Sequence, residues 1–169
     1  MVSIVHCLIS ISLVVQVVVA QELPALIKGR TIPAEFDGAY EFLELIKYPQ
    51  EPDGVFDPQK APHWNVDRIM SFISPRGIDY SDVNRPRRVH LRYNDIRQHI
   101  TKRKGLAFEI LSHLAHIYSV PYKQYSELTF RRDKDKYIID IASWYTLTYV
   151  NTNDQFHLVC IDYNTLEGD

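Results

Sequence analysis

The sequence predicts an α+β domain, with helices first and a curved antiparallel sheet last. Three observations carry this expectation. Apolar residues recur at helical spacing between residues 34 and 118. After Pro121 the period changes to two. The segments beyond it are rich in Tyr, Ile, Thr, Val and Trp, and clusters of turn-forming residues separate them. A length of 169 residues with 46% hydrophobic content suits one domain with a real core. A formal charge of −2 excludes histone-like basic chains and strongly acidic disordered ones.

Residues 1–20 hold no Asp, Glu, Lys or Arg, and Cys7 to Val19 is nearly continuous Leu, Ile and Val. The run closes Val18-Val19-Ala20 before Gln21-Glu22, which reads as a signal peptide cleaved after Ala20 and so as an exported, periplasmic or secreted protein. About thirteen apolar residues fall short of a ~30 Å hydrocarbon core. Cys7 lies inside the apolar run with no second small-residue site after it, which argues against a lipid-modified cysteine. Beyond residue 20 the only cysteine is Cys160, so no intramolecular disulfide is possible. Residues 21–33 form an arm limited by Pro24 and Pro33, and 34–169 form the single domain.

From Ala34 to Tyr48, Phe36, Ala39, Tyr40, Leu43 and Ile46 share a helical face, and Pro49 ends the helix. Residues 49–62 carry four prolines and Gly54 and read as a long irregular loop. Asn65 can cap a short helix that presents Val66, Ile69, Met70 and Ile73 on one face. Ser74-Pro75-Arg76-Gly77 stops it. Asn94-Asp95 opens a helix to about Lys104, with Gly105 as a left-handed cap, and Leu106–Tyr118 is helical again. Three strands follow: Tyr122–Phe130, Lys136–Val150 and Gln155–Tyr163. The middle one is long for a strand, and Ala142-Ser143 is where it would bend.

Glu41-Phe42-Leu43, Phe72-Ile73-Ser74-Pro75-Arg76-Gly77-Ile78, Leu91-Arg92-Tyr93-Asn94-Asp95-Ile96 and Lys102-Arg103-Lys104-Gly105, followed by aromatic strands, form a recognisable order of parts. Over residues 34–169 the chain resembles the exported NTF2-like (SnoaL-like, cystatin-like) α+β proteins of bacteria. The resemblance implies a cone in which a curved sheet wraps around helices, enclosing a ligand pocket, a catalytic Asp/His pair or only packed side chains. No family catalytic residue maps onto this chain. The resemblance also implies one more strand after Leu166-Glu167-Gly168-Asp169, where the sequence stops. Strand 155–163 would then lie at the sheet edge and invite a homodimer.

Four sets of residues are candidates for function. Residues 85–104 hold eight basic side chains, Arg85, Arg87, Arg88, Arg92, Arg97, Lys102, Arg103 and Lys104, against Asp95 alone, a net +7. Residues 21–60 carry a net −4. The basic segment either lies against the acidic first helix or faces an anionic partner or membrane surface. With only Tyr93 available for stacking, nucleic acid is not expected. Tyr137, Trp144, Tyr145 and Tyr149 can line a pocket on a concave sheet, with Asp140 or His157 as its polar group. In an enzyme of isomerase, hydratase or cyclase type that Asp/His pair would transfer a proton. Glu109, His113 and His116, at i, i+4 and i+7, fall on one helical face and present three metal-ligand types, though without the His-Glu-x-x-His spacing. The reading preferred for them is a polar, solvent-facing stripe opposite an apolar one, with no metal. Finally, Cys160 lies in an apolar strand-like run and reads as a small packed hydrophobe. The chain has no Gly-rich phosphate loop, Gly-x-Ser-x-Gly elbow or Cys-x-x-Cys pair, so no cofactor is implied. The expectation is a small exported binding or interaction domain for an apolar or anionic ligand, with the pocket enzyme as the alternative.

Overall fold

The computed structural model describes residues 26–27, 30–48, 64–119 and 127–164. The signal segment, the 49–62 loop, residues 122–126 of the first expected strand and the C-terminal turn at 166–169 lie outside the described residues. A short ribbon pairs β1 (Leu26–Ile27) with β2 (Arg30–Thr31). A 3-10 turn at Ala34–Phe36 leads into α1 (Asp37–Ile46). Its buried residues Ala39, Tyr40, Phe42, Leu43 and Ile46 follow the helical period, and Lys47 leaves it extended before Pro49.

Asn65 caps α2 (Val66–Ser71), accepting the Arg68 N–H at 3.0 Å. Helix α3 (Tyr93–Lys102) ends on Arg103 at φ 51°, two positions before Gly105, the residue expected to close it. Gly105 is also left-handed, φ 94°, and its carbonyl accepts the Glu109 N–H as α4 (Leu106–Ser119) begins.

Six strands form one mixed, open sheet: β3 (Ile78–Asp82), β4 (Arg85–Leu91), β5 (Leu128–Asp133), β6 (Lys136–Ile141), β7 (Tyr145–Thr152) and β8 (Gln155–Tyr163). Their order is β4-β3-β8-β7-β6-β5. The α+β class is as the sequence predicts, and three details of the sheet differ. First, the long strand 136–150 is a hairpin. Ala142 at φ 49° turns the chain, and the Trp144 N–H bonds back to the Ile141 carbonyl at 3.1 Å.

Second, β3 and β4 form a hairpin in a stretch that the sequence assigned to no element, and β3 pairs parallel with β8, so the sheet is not wholly antiparallel. Third, β8 is interior. It pairs with β7 on one side and β3 on the other, and Phe72 and Ser74 continue that second side through backbone bonds to Leu158 of 2.6 and 3.1 Å. From Leu158 to Tyr163 it is therefore paired on both sides, and the edge expected to drive a homodimer does not exist there. Among the described strands the edges are β4 and β5, which carry Pro86 and several arginines.

One face of the sheet contributes Tyr137, Ile139, Ile141, Tyr145, Leu147, Tyr149, Leu158 and Ile161 to the core. The helices meet it with Phe42, Leu43, Ile46, Ile69, Ile96, Ile110 and Leu114. The alternate residues Thr129, Asp140, Thr146, Thr148, Cys160 and Asp162 stand on the opposite face, where they bond to one another rather than to helices. Among the described residues no helix is long and apolar enough to cross a membrane.

Candidate functional site

The four aromatic residues expected to line one cavity are divided by the fold. Tyr137 sits edge-on between Phe36 (5.5 Å between ring centroids) and Phe156 (4.9 Å), and Phe130 closes on Phe36 at 5.3 Å. Tyr149 is fully buried against Phe42, 6.3 Å away, which in turn meets Phe72. These contacts fill that part of the space between sheet and helices with rings in edge-to-face packing. Trp144 and Tyr145 lie elsewhere, at the end of the sheet where β7 begins and β8 ends.

Asp140 and His157 are also separated. Asp140 is opposite Thr146 on β7, while His157 is opposite Val150. Four residues along one strand place them about 13 Å apart before the second strand spacing is added. No proton passes directly between them. Asp140 accepts from Thr146 Oγ1 at 2.7 Å and Arg131 Nε at 3.1 Å. It belongs to a row running across the outer face, Thr129–Asp140–Thr146–Asp162–Ser81, in which each residue faces the next across a strand pair. Arg88 of β4 continues the row, reaching Asp162 at 3.3 Å.

Cys160 lies beside this row, with its thiol 3.5 Å from both Asp162 oxygens. Burial, then the Asp162 charge, pushes the thiol up to about 12, so it is not a nucleophile near neutral pH.

The candidate metal face of Glu109, His113 and His116 does not assemble among the described residues. Glu109 is exposed, and His113 turns its Nδ1 to the Tyr145 hydroxyl at 2.7 Å. Among the described residues no group of three or more His, Cys, Asp and Glu is placed to hold a metal ion. The His113 ring instead stands edge-on to Trp144 (6.4 Å), Tyr145 (5.7 Å) and Tyr163 (5.5 Å). Burial, and then the neighbouring His116, holds the His113 pKa below its ordinary value, so the ring is neutral near pH 7. Burial, followed by the fields of Tyr80, Tyr163 and Asp82, holds the Tyr145 phenol protonated. This His–Tyr pair is a hydrogen-bonded unit that the sequence did not signal, because 32 residues separate its members.

A second polar cluster joins α1 to α4. The Tyr40 and Tyr118 phenols lie 2.6 Å apart and both donate to Glu44 Oε1, while Lys47 reaches Oε2 at 3.4 Å. Burial raises the Glu44 pKa, but the two phenols and Lys47 outweigh it, and the carboxyl sits below its ordinary value. The cluster ties two helices together.

The basic segment occupies β4, the strand-to-helix junction and α3. It does not lie against the acidic first helix. Two of the three α1 carboxylates are taken by others, Glu41 by Arg68 and Glu44 by Lys47, and Asp37 pairs with none of the basic segment among the described residues. Three of the basic side chains have acidic partners elsewhere. Arg88 reaches Asp162, Arg92 reaches Asp95 at 2.9 Å, and Arg97 reaches Asp67 at 2.7 Å. Arg85 is on the same strand, and Arg103 closes α3. Arg87, Lys102 and Lys104 are exposed, with no carboxylate against them among the described residues. No protein-family model, curated protein or solved structure matches the chain.

Proposed function

We propose that this protein is a small exported binding domain that engages an anionic partner through β4 and α3, on a cone of the NTF2-like (cystatin-like) kind. The observation that carries the reading is the state of the basic segment. Its charge is not cancelled by the acidic first helix, and Arg87, Lys102 and Lys104 stand exposed without carboxylate partners among the described residues. Exposed cations of one sign raise the local concentration of an anion and speed its encounter. The packing of Tyr137 and Tyr149 into the core, and the separation of Asp140 from His157, favour this surface over an interior pocket.

Export rests on the charge-free segment Met1–Ala20. N-terminal sequencing of protein recovered outside the cytoplasm is expected to begin at Gln21; a chain still beginning at Met1 removes the cleavage.

The binding test uses labelled polyglutamate and fluorescence anisotropy at low and physiological salt. Reversing the three free cations together (Arg87→Glu, Lys102→Glu, Lys104→Glu) is expected to weaken binding roughly tenfold or more, and salt is expected to do the same. Unchanged binding in the triple variant refutes the assignment of the surface.

A further inference from the structure

The geometry points to a mode of binding as well as a charge: we propose that β4 takes an extended acidic peptide as a seventh strand of the sheet. The inference rests on the anionic-partner reading above and narrows it to one partner class. Strand β4 ends the sheet order and is hydrogen-bonded to β3 alone among the described strands. Along its seven residues, about 23 Å at ~3.3 Å per residue, alternate backbone groups turn to the other side, which has no strand partner among the described residues, although Pro86 supplies no N–H.

The side chains of β4 state what that strand should carry. The sequence Arg85-Pro86-Arg87-Arg88-Val89-His90-Leu91 holds three arginines and no acid. Arg88 and His90 stand on the outer face, where they meet Asp162 at 3.3 Å and Asp79 at 2.8 Å. Arg87 and Val89 occupy the alternate positions and face the other way. An added strand therefore meets a cation on each of its faces. At the turn into β4, Val83 is 52% exposed, the one large apolar side chain so exposed among the described residues. In a peptide alternating acidic and apolar residues the acids share one face, and they complement the face of the sheet that carries Arg87.

The other edge of the sheet does not offer the same surface. On β5, Arg131 is held by Asp140 at 3.1 Å, while Arg132 lies 3.8 Å from Glu35 and over the Tyr137 ring. Arg88 on β4 is engaged in the same way by Asp162, so the difference between the edges is Arg87, exposed with no carboxylate against it among the described residues. A second copy of this chain is also disfavoured at β4, because antiparallel β4–β4 pairing sets arginine against arginine, and like charges directly opposite one another destabilise a strand pair.

The test compares two labelled ten-residue peptides of alternating Val and Glu, one with an ordinary backbone and one N-methylated at every residue, so that neither edge offers an N–H. The two carry equal charge, and only the first can complete a strand ladder. Strand addition is expected to give tenfold or greater weakening on N-methylation. Arg87→Glu is expected to weaken the ordinary peptide by a similar factor. In the wild-type protein the amide resonances of Arg87–Leu91 are expected to shift and gain protection from exchange. Equal binding of both peptides, or shifts confined to the end of α3, overturns strand addition and leaves the anionic surface standing. Binding of long polyglutamate without binding of the ten-residue peptide has the same meaning. Absence of binding to any of these probes overturns both readings.

Discussion

Tyr118 and Tyr149 carry the same phenol into the same core under opposite circumstances. The Tyr118 hydroxyl donates to Glu44 and contacts the Tyr40 hydroxyl. The Tyr149 hydroxyl is fully buried and has no hydrogen-bond partner among the described residues. Removing a partnered buried donor costs about 1–3 kcal/mol, whereas removing an unpartnered one costs nothing or is favourable. Urea unfolding of Tyr118→Phe is therefore expected to show a loss in that range. Tyr149→Phe is expected to be neutral or stabilising by up to ~1 kcal/mol. A clear loss at Tyr149 would mean that its hydroxyl is satisfied, as by a buried water. Cys160 behaves predictably at the same scale. Iodoacetamide at neutral pH is expected to label it slowly in the native protein and quickly in urea, because unfolding removes both the burial and the Asp162 contact that hold the thiol protonated.

At the scale of elements, two backbone positions decide where strands begin and end. Gly77 has φ 96°, and a Cβ there would lie 2.1 Å from the Leu91 carbonyl oxygen. Gly77→Ala is expected to lose more than ~2 kcal/mol, since neither the left-handed backbone nor a main-chain oxygen can yield cheaply. Ala142 stands left-handed at φ 49° in the β6–β7 turn. Ala142→Gly is expected to gain about 0.5–1 kcal/mol by relieving that conformation. Thermal unfolding of both variants checks the pair. Ala142 also shows why one long strand was expected. Ala-Ser-Trp carries none of the Gly, Asn or Asp that usually mark such a turn, whereas Asn153-Asp154, both with positive φ, mark the β7–β8 turn plainly. The Asn65 cap was legible because its acceptor is local, three residues from its donor. The hairpin of β3 and β4 was not, because Arg-Pro-Arg-Arg lacks the β-branched and aromatic residues that announce a strand.

For the whole molecule, the partly desolvated His113 and His116 set the response to acid. Burial depresses the His113 and His116 pKa values below 6.5, so the unfolded chain binds these protons more readily than the native one. Their contribution is present above pH 6.5 and is lost as pH falls through that value towards the lower native ones. Glu44, also depressed, adds a further loss as pH falls below 4.5. The urea midpoint is expected to be flat from about pH 8 to 7, then to fall from about pH 6.5 downward. Replacing His113 and His116 by Gln is expected to flatten the first decline and leave the acidic one. A midpoint that rises on acidification contradicts the burial argument.

The division of labour follows from range. The helices, the strand-rich stretch after Pro121, the apolar face of α1, the Asn65 cap and the surplus of charge in residues 85–104 were all determined within the sequence, because spacing, capping and composition act over a few residues. The candidate site needed contacts between distant segments. That β8 lies between β7 and β3, that His113 meets Tyr145, and that the basic segment avoids α1 were decided only in three dimensions. The period of a strand states which residues face the core, and not which strand lies beside it. That neighbour is chosen by burying one apolar face under four helices while pairing every interior backbone group, a condition that only the complete fold satisfies.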